Sequence, residues 1–178
     1  MHDNLRNLKL DVLQVVNFRV MHDAMKPSEG PIEEALTVLG ELQQQGLILL
    51  VGVSNVTASQ VAEARRILKI VCVQNLYNVL HRADDGLLDE LARDGIAFVP
   101  FFPLGGGLNP MQSIILSNIA QELDATPMQV AQAWLLRRSP NVLLIPGTSS
   151  VQHLKQNMAV ADLVLPDSAF QKLSTLAD

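Results

Sequence analysis

Aromatic side chains are scarce in this sequence: five Phe, one Tyr and one Trp make up 4% of 178 residues. A core built from it must be aliphatic, the mixture found where parallel strands are covered by helices. Cysteine is nearly absent too. Cys72 stands alone, so no internal disulfide can form, and a reducing, cytoplasmic setting fits. Its flanks, Val71 and Val73, make it read as a small core residue. There is no basic stripe, and the net charge is −5. That argues against nucleic acid as a partner, because neutralising phosphates needs clustered Lys and Arg. There is no apolar run long enough to span a bilayer, so no membrane role is expected. Met1–Lys9 is polar and carries both charge signs, unlike a secretory leader. The four His are scattered, with no spacing that suits a metal; the metal reading is none.

What is present is regular. The chain is 48% hydrophobic and 17% charged, as in a folding sequence. Short β-branched runs alternate with helical patterns. Strands are read at Val12–Phe18, Leu47–Val53, Ile70–Gln74, Ile96–Phe101 and Val142–Ile145. Helices are read at Pro31–Gln45, after Thr57, at Asp84–Arg93, around Ile114–Leu123, after Thr126, after Ser149 and from Pro166–Asp167. Thr57 with Gln60, and Thr126 with Pro127 and Gln129, are helix-start signatures; Ser149 with Gln152 is read the same way. No linker or low-complexity stretch appears, so residues 1–178 read as a single domain. Its class is α/β, with about five parallel strands and covering helices. The sheet is either open or a closed barrel. No Gly-x-Gly-x-x-Gly follows the first strand, which weakens an open dinucleotide-binding sheet.

Polar groups recur where strands end, the functional end of a β/α barrel. The first strand runs into Asn17, Arg19 and His22, the second into Ser54–Asn55, the third into Gln74–Asn75 and Tyr77. The fourth gives Phe101–Leu104 and a glycine run from Gly105 to Gly107; the fifth gives Pro146–Ser150. Each has a plain structural alternative. Ser54–Asn55 can simply start a helix, Gln74 can satisfy a buried backbone group, and Ser149–Ser150 can be an ordinary cap. The glycines can be a loop, and His22, Tyr77, His81, Arg82 and Asp84–Asp85 read as structural or solvated. The coincidence of several such groups on strand ends favours a site.

Four segments together resemble the aldo-keto reductase family. They are Gly52-Val-Ser-Asn55, Val73-Gln-Asn-Leu-Tyr-Asn78, Val99-Pro-Phe-Phe-Pro-Leu-Gly105, and Ile145-Pro-Gly-Thr-Ser-Ser150 with His153, Leu154 and Asn157. The resemblance covers nearly the whole chain and implies a partial (β/α)8 TIM-type barrel from the fourth strand onward. It implies NADPH as cofactor, with NADH also admitted, and a small aldehyde or ketone as substrate. Ser54, Asn55 and Gln74 would hold the nicotinamide carboxamide. Phe101 stands where the family often has a stacking Tyr, and Phe102 where a Ser is common. Leu104 and Gly105 would lie along the pyrophosphate. Thr148, Ser149, His153, Gln156 and Asn157 would surround the adenosine and its 2′-phosphate, and Gly147 stands where some members carry Lys.

The family's catalytic Asp, Tyr and Lys come from the first three strands, and the chain is expected to begin just before the fourth. Aligning Leu8-Lys-Leu-Asp11 with the family's L-G-x-D puts Arg19 at the catalytic His position. Arginine is a fixed cation that can stabilise an oxyanion but donates protons poorly. The leading expectation is therefore the cofactor-binding part of a carbonyl reductase, inactive or nearly so alone. The alternative is a non-catalytic partial barrel that binds a nucleotide or a protein. A third reading is another β/α enzyme using Arg19 and His22. Lys26–Pro31 and Leu108–Met111 are read as lining the remaining substrate pocket. Exposed barrel edges are expected to drive self-association into a dimer or larger.

Overall fold

A computed structural model describes residues 1–23, 26–105 and 113–177. They fall into two compact units. The first comprises Met1–Asn75 and Ile96–Phe98, and the second Leu76–Gly95 and Val99 onward.

The first unit carries a parallel sheet of four strands in the order β1-β2-β3-β4: β1 Leu13–Arg19, β2 Ile48–Ser54, β3 Ile70–Gln74 and β4 Ala97–Phe98. Helices α2 (Glu33–Gln44) and α3 (Ala58–Ile67) supply the crossovers between β1, β2 and β3. Helix α1 (His2–Leu8), which the sequence reading did not foresee, is anchored by Leu5 alone. The core is aliphatic, as the composition requires: Ile32, Leu36, Ile48, Val51, Val53, Val61, Ile70 and Val73 are buried. Helix α3 starts on the predicted capping box. Gln60 N–H donates to Thr57 Oγ1 at 3.2 Å, and Thr57 N–H donates to Gln60 Oε1 at 3.0 Å. The same Gln60 uses its Nε2 on the carbonyls of Ser28 (3.2 Å) and Gly30 (3.0 Å), which ties down the loop after β1.

The second unit is helical: α4 (Asp85–Arg93), α5 (Ile114–Glu122), α6 (Pro127–Arg138), α7 (Val151–Ala159), a 3₁₀ turn (Val160–Asp162) and α8 (Asp167–Ser174). Three of its aromatics are gathered in one place. Trp134 stacks between Tyr77 and Phe170, with ring centroids 6.1 Å apart on each side, contacts of roughly 0.5–1.5 kcal/mol each beyond area burial. Tyr77 is fully buried, and its hydroxyl donates to Asp85 at 2.5 Å. Burial and that carboxylate hold the phenol well above its ordinary range. Burial alone would raise the Asp85 carboxyl. Hydrogen bonds from Arg82 and Tyr77, with the charges of Arg82 and Arg138, outweigh it and keep Asp85 below its usual value. The structural reading of Tyr77, Arg82 and Asp85 agrees with this cluster.

Three local expectations are corrected. Val142–Ile145 forms no strand among the described residues. Only Val142 of the four is buried, while Leu143 and Ile145 are exposed. Its aliphatic composition promised a strand, but a ladder also needs a paired neighbour along its length. The fourth strand is shorter than Ile96–Phe101. It covers two residues, and Phe101 makes only an isolated bridge with Leu76. The cap of α7 is Ser150 rather than Ser149. Ser150 Oγ accepts from His153 N–H at 3.4 Å, while Thr148 Oγ1 takes the Ser150 N–H at 3.1 Å. A Ser-Ser pair offers two equivalent caps, and the Thr148 hydroxyl selects the second.

Candidate functional site

Arg19, Ser54 and Gln74 are the last residues of β1, β2 and β3. The parallel register sets Arg19 opposite Ser54, and Ser54 opposite Gln74. Three polar residues thus stand in one row at the C-terminal ends of adjacent strands. Arg19 Nη1 donates to Ser54 Oγ at 3.1 Å.

Asn55 leaves β2 in the left-handed conformation, φ 57°, which Asn tolerates better than most residues. Its N–H donates to the Gln74 carbonyl at 2.9 Å. Asn75 clamps the next peptide: Oδ1 accepts from Val56 N–H at 3.1 Å, and Nδ2 donates to the Val56 carbonyl at 2.8 Å. The Asn55 side chain is fully buried. Its Nδ2 donates to the carbonyls of Val20 (2.8 Å) and Asp23 (2.6 Å). Both partners can only accept, so the amide's orientation is set. Its Oδ1 is left buried, with no partner among the described residues. Such an acceptor costs about 1–3 kcal/mol unless something supplies a donor. The donor set has the chemistry of a primary carboxamide's complement.

Beneath this row lies a second polar layer, of which the sequence reading named Asn17 as a strand-end polar group but not its partners. Asn17 stands two residues before Arg19 on β1, on the same face by strand periodicity. Its Nδ2 donates to Gln74 Oε1 at 3.0 Å, and its Oδ1 accepts from Cys72 Sγ at 3.2 Å. Asn17 is opposite Gly52 in the register. A Cβ at Gly52 would overlap Asn17 Oδ1 and Cys72 Sγ, so the glycine is what lets Asn17 reach across β2 to β3. Burial pushes the Cys72 thiol up, which keeps it a protonated donor.

In the second unit, the predicted residues Leu104, Gly147, Thr148, His153, Gln156 and Asn157 line a hollow of about 320 Å³, joined by Thr126 and Met128. Ser149 is exposed and outside this lining. Among the described residues that line the hollow there is no Lys or Arg. Gln132, fully buried on α6, donates from Nε2 to Asn157 Oδ1 at 2.8 Å and leaves Asn157 its Nδ2 to offer a ligand. Gln129 Nε2 donates to the Gln156 carbonyl at 3.1 Å. Phe101 is buried and Phe102 is 41% exposed, their rings edge to face at 5.6 Å. Phe102 is left-handed, φ 52°, and its carbonyl accepts from Asn78 Nδ2 (3.1 Å) and Gly105 N–H (3.0 Å). Gly106, Gly107 and Leu108–Met111 lie outside the described residues.

The remaining loop residues are positioned as follows. The His22 ring lies where a Cβ on Gly30 would sit, and Glu29 accepts from Ser59 Oγ at 2.8 Å, so the read Lys26–Pro31 segment is anchored at several points. Among the described residues no group of His, Cys, Asp and Glu could hold a metal ion, and no helix is long and apolar enough to cross a membrane.

Comparison with known proteins bears on this arrangement. The chain is 63% identical to pyridoxine 4-dehydrogenase of Escherichia coli over 177 residues, covering 99% of this chain and 62% of that protein. It is 37% identical to an uncharacterized oxidoreductase of Schizosaccharomyces pombe, covering 80% of this chain and 47% of that one. A thermostable aldo-keto reductase solved with the inhibitor epalrestat superposes with a TM-score of 0.85 at 30% identity, over 99% of this chain and 64% of that chain. A Klebsiella pneumoniae aldo-keto reductase in complex with NADPH gives 0.82 at 27% identity, over 98% and 62%. The chain therefore spans less than two thirds of the length of these relatives. The aldo/keto reductase family profile matches residues 1–178 without remainder, and the chain belongs to that family.

Proposed function

We propose that this chain supplies the cofactor-holding part of an NADPH-dependent carbonyl reductase, corresponding to the barrel from its fourth strand onward. The observation that carries the reading is the buried, unpartnered Oδ1 of Asn55 beside Ser54 and Gln74. A nicotinamide carboxamide offers the N–H that this acceptor lacks, and its oxygen suits donors on Ser54 and Gln74. The residues of the first unit would fix the ring and hence the face presented to the substrate. Thr148, Ser149, His153, Gln156 and Asn157, with Leu104, Gly105, Gly147 and the Phe101–Phe102 pair, would take the pyrophosphate and phosphoadenosine. The bound cofactor supplies the hydride. Arg19, tied to Ser54, holds a fixed positive charge at the strand-end row, where it would stabilise negative charge developing on a carbonyl oxygen. The substrate is a small aldehyde or ketone; the 63% identity makes the pyridoxine–pyridoxal pair the first to test. A cytoplasmic location belongs to the same proposal.

Titration with NADPH followed by cofactor fluorescence, then NADPH oxidation with a panel of aldehydes including pyridoxal, tests this reading. Saturable binding is expected, with little turnover by the 178 residues alone. Absence of binding at millimolar NADPH overturns the reading. So does turnover by this chain alone at an ordinary enzymatic rate of ~1–10³ s⁻¹. A second reading, a nucleotide-binding module without catalysis, is favoured by one observation. The chain's single Tyr is Tyr77, and its hydroxyl is buried against Asp85 rather than available to a substrate. Binding without turnover even when the whole protein is assayed would establish it.

The lack of Lys and Arg among the described residues of this hollow leads to a prediction. A Cβ at Gly147 meets nothing within 4 Å. Gly147→Lys should raise the preference for NADPH over NADH by about 3- to 10-fold, the range of a partly exposed ion pair, measured as the ratio of dissociation constants. Self-association is also proposed. Strand β1 is an edge of its sheet, and a hollow beside it is lined by Val16, Phe18, Ala35, Val38 and Leu39 together with Asn17, Arg19 and Glu34. A second copy is the proposed occupant, and a monomer by light scattering would refute this.

A further inference from the structure

The geometry points to Asn17 as a positioning residue that sets the hydrogen-bonding polarity of Gln74, making it a donor to the cofactor's carboxamide oxygen. The inference rests on the nicotinamide reading above and deepens it. The polarity is carried along a chain of bonds. The Cys72 thiol can donate, and its Sγ lies 3.2 Å from Asn17 Oδ1. That contact turns the Asn17 amide so that its nitrogen faces Gln74, whose Oε1 accepts at 3.0 Å. With its oxygen turned to Asn17, Gln74 presents its Nε2, a donor, on the other side of the amide. Across the row, Asn55 is fixed in the opposite sense: two backbone carbonyls hold its nitrogen and leave the oxygen. Ser54 Oγ accepts from Arg19, which leaves its proton to donate. The three residues then offer two donors and one acceptor. A primary carboxamide requires that complement, with Ser54 and Gln74 on its oxygen and Asn55 on its N–H.

Without Asn17 the Gln74 amide has no reason to prefer this orientation, and the flipped form sets its oxygen against the carboxamide oxygen. Gly52 is the spatial condition for the arrangement, because a side chain there would separate Asn17 from Cys72.

The test compares the affinity of the 178-residue chain for NADP with that for 2′-phospho-ADP-ribose, which lacks the nicotinamide. The ratio isolates the carboxamide end, whatever happens at the adenosine end. In the wild-type chain NADP should bind more tightly. Asn17→Asp preserves size but replaces the donating nitrogen by an acceptor. Asn17→Leu removes both polar atoms. Both should cut the ratio about tenfold, the scale of one well-placed hydrogen bond, with binding of the fragment unchanged. Gln74→Glu keeps an acceptor for Asn17 and replaces the donor by a charged acceptor; read with NADPH, whose reduced ring is uncharged, against the same fragment, it should cut the ratio as far. This third variant leaves β1 untouched, so it decides the matter if the Asn17 variants fail to fold. A wild-type chain that prefers NADP, with a folded Asn17→Asp or Gln74→Glu that prefers it equally, overturns the polarity assignment alone. A wild-type chain that binds the two ligands equally, or neither, overturns the nicotinamide reading and this inference with it.

Discussion

Asn55→Ala should lose measurable NADPH binding and also destabilise the first unit by about 2–5 kcal/mol. Two effects add. The side chain is fully buried and donates to the carbonyls of Val20 and Asp23, two hydrogen bonds that the substitution removes. The residue also holds φ at 57°, where Ala is less comfortable than Asn. A loss of that size is a large fraction of a typical domain's stability of about 5–15 kcal/mol. Urea unfolding followed by far-ultraviolet circular dichroism measures the destabilisation. The loss of the acceptor for the cofactor is read by titrating NADPH under conditions where the variant remains folded. A variant that unfolds at the wild-type midpoint would show that the two carbonyls find other partners.

Gly52→Ala should be nearly as damaging, for a different reason. A Cβ there would overlap Asn17 Oδ1 and Cys72 Sγ, and would approach the Cys72 carbonyl oxygen at 3.0 Å. The carbonyl belongs to the neighbouring strand β3 and cannot swing aside. Overpacking of this kind costs about 1–3 kcal/mol. The displaced Asn17 would also lose its bond to Gln74, so the nicotinamide contribution to affinity should fall with stability. Gly147→Ala is the control: the added Cβ meets nothing within 4 Å, and stability should be unaffected. Equal midpoints for Gly52→Ala and wild type in a denaturant melt would mean that the strands shift to admit the methyl group.

Local chemistry was legible in the sequence. The Thr57–Gln60 and Thr126–Gln129 boxes form as read, because a cap depends on residues three apart. Three of the strands were located to within a residue by their β-branched runs, and that periodicity carried Arg19, Ser54 and Gln74 to strand ends. The polar layer below was not legible. Asn17 and Gln74 are 57 residues apart, and they meet only because Gly52, between them in the sheet, has no side chain. Asn17 reads locally as one more polar group near a strand end, with nothing to mark its partners. Gln132 was hidden in the same way, its amide spent on Asn157 of a later helix. The fifth strand failed because hydrophobicity reports burial, whereas a strand also needs a neighbour. Tyr77 was read correctly as structural. Its raised ionisation range and its bond to Asp85 give the physical reason.

The strand-end row of the first unit is proposed to hold a nicotinamide carboxamide. Side-chain amide resonances test this most directly. On titrating the chain with NADPH, the ¹⁵N-resolved amide signals of Gln74 and Asn55 should shift and saturate, and 2′-phospho-ADP-ribose, which lacks the nicotinamide, should leave them in place. If both signals stay in place at saturating NADPH, or move equally with the fragment, the row does not hold the nicotinamide.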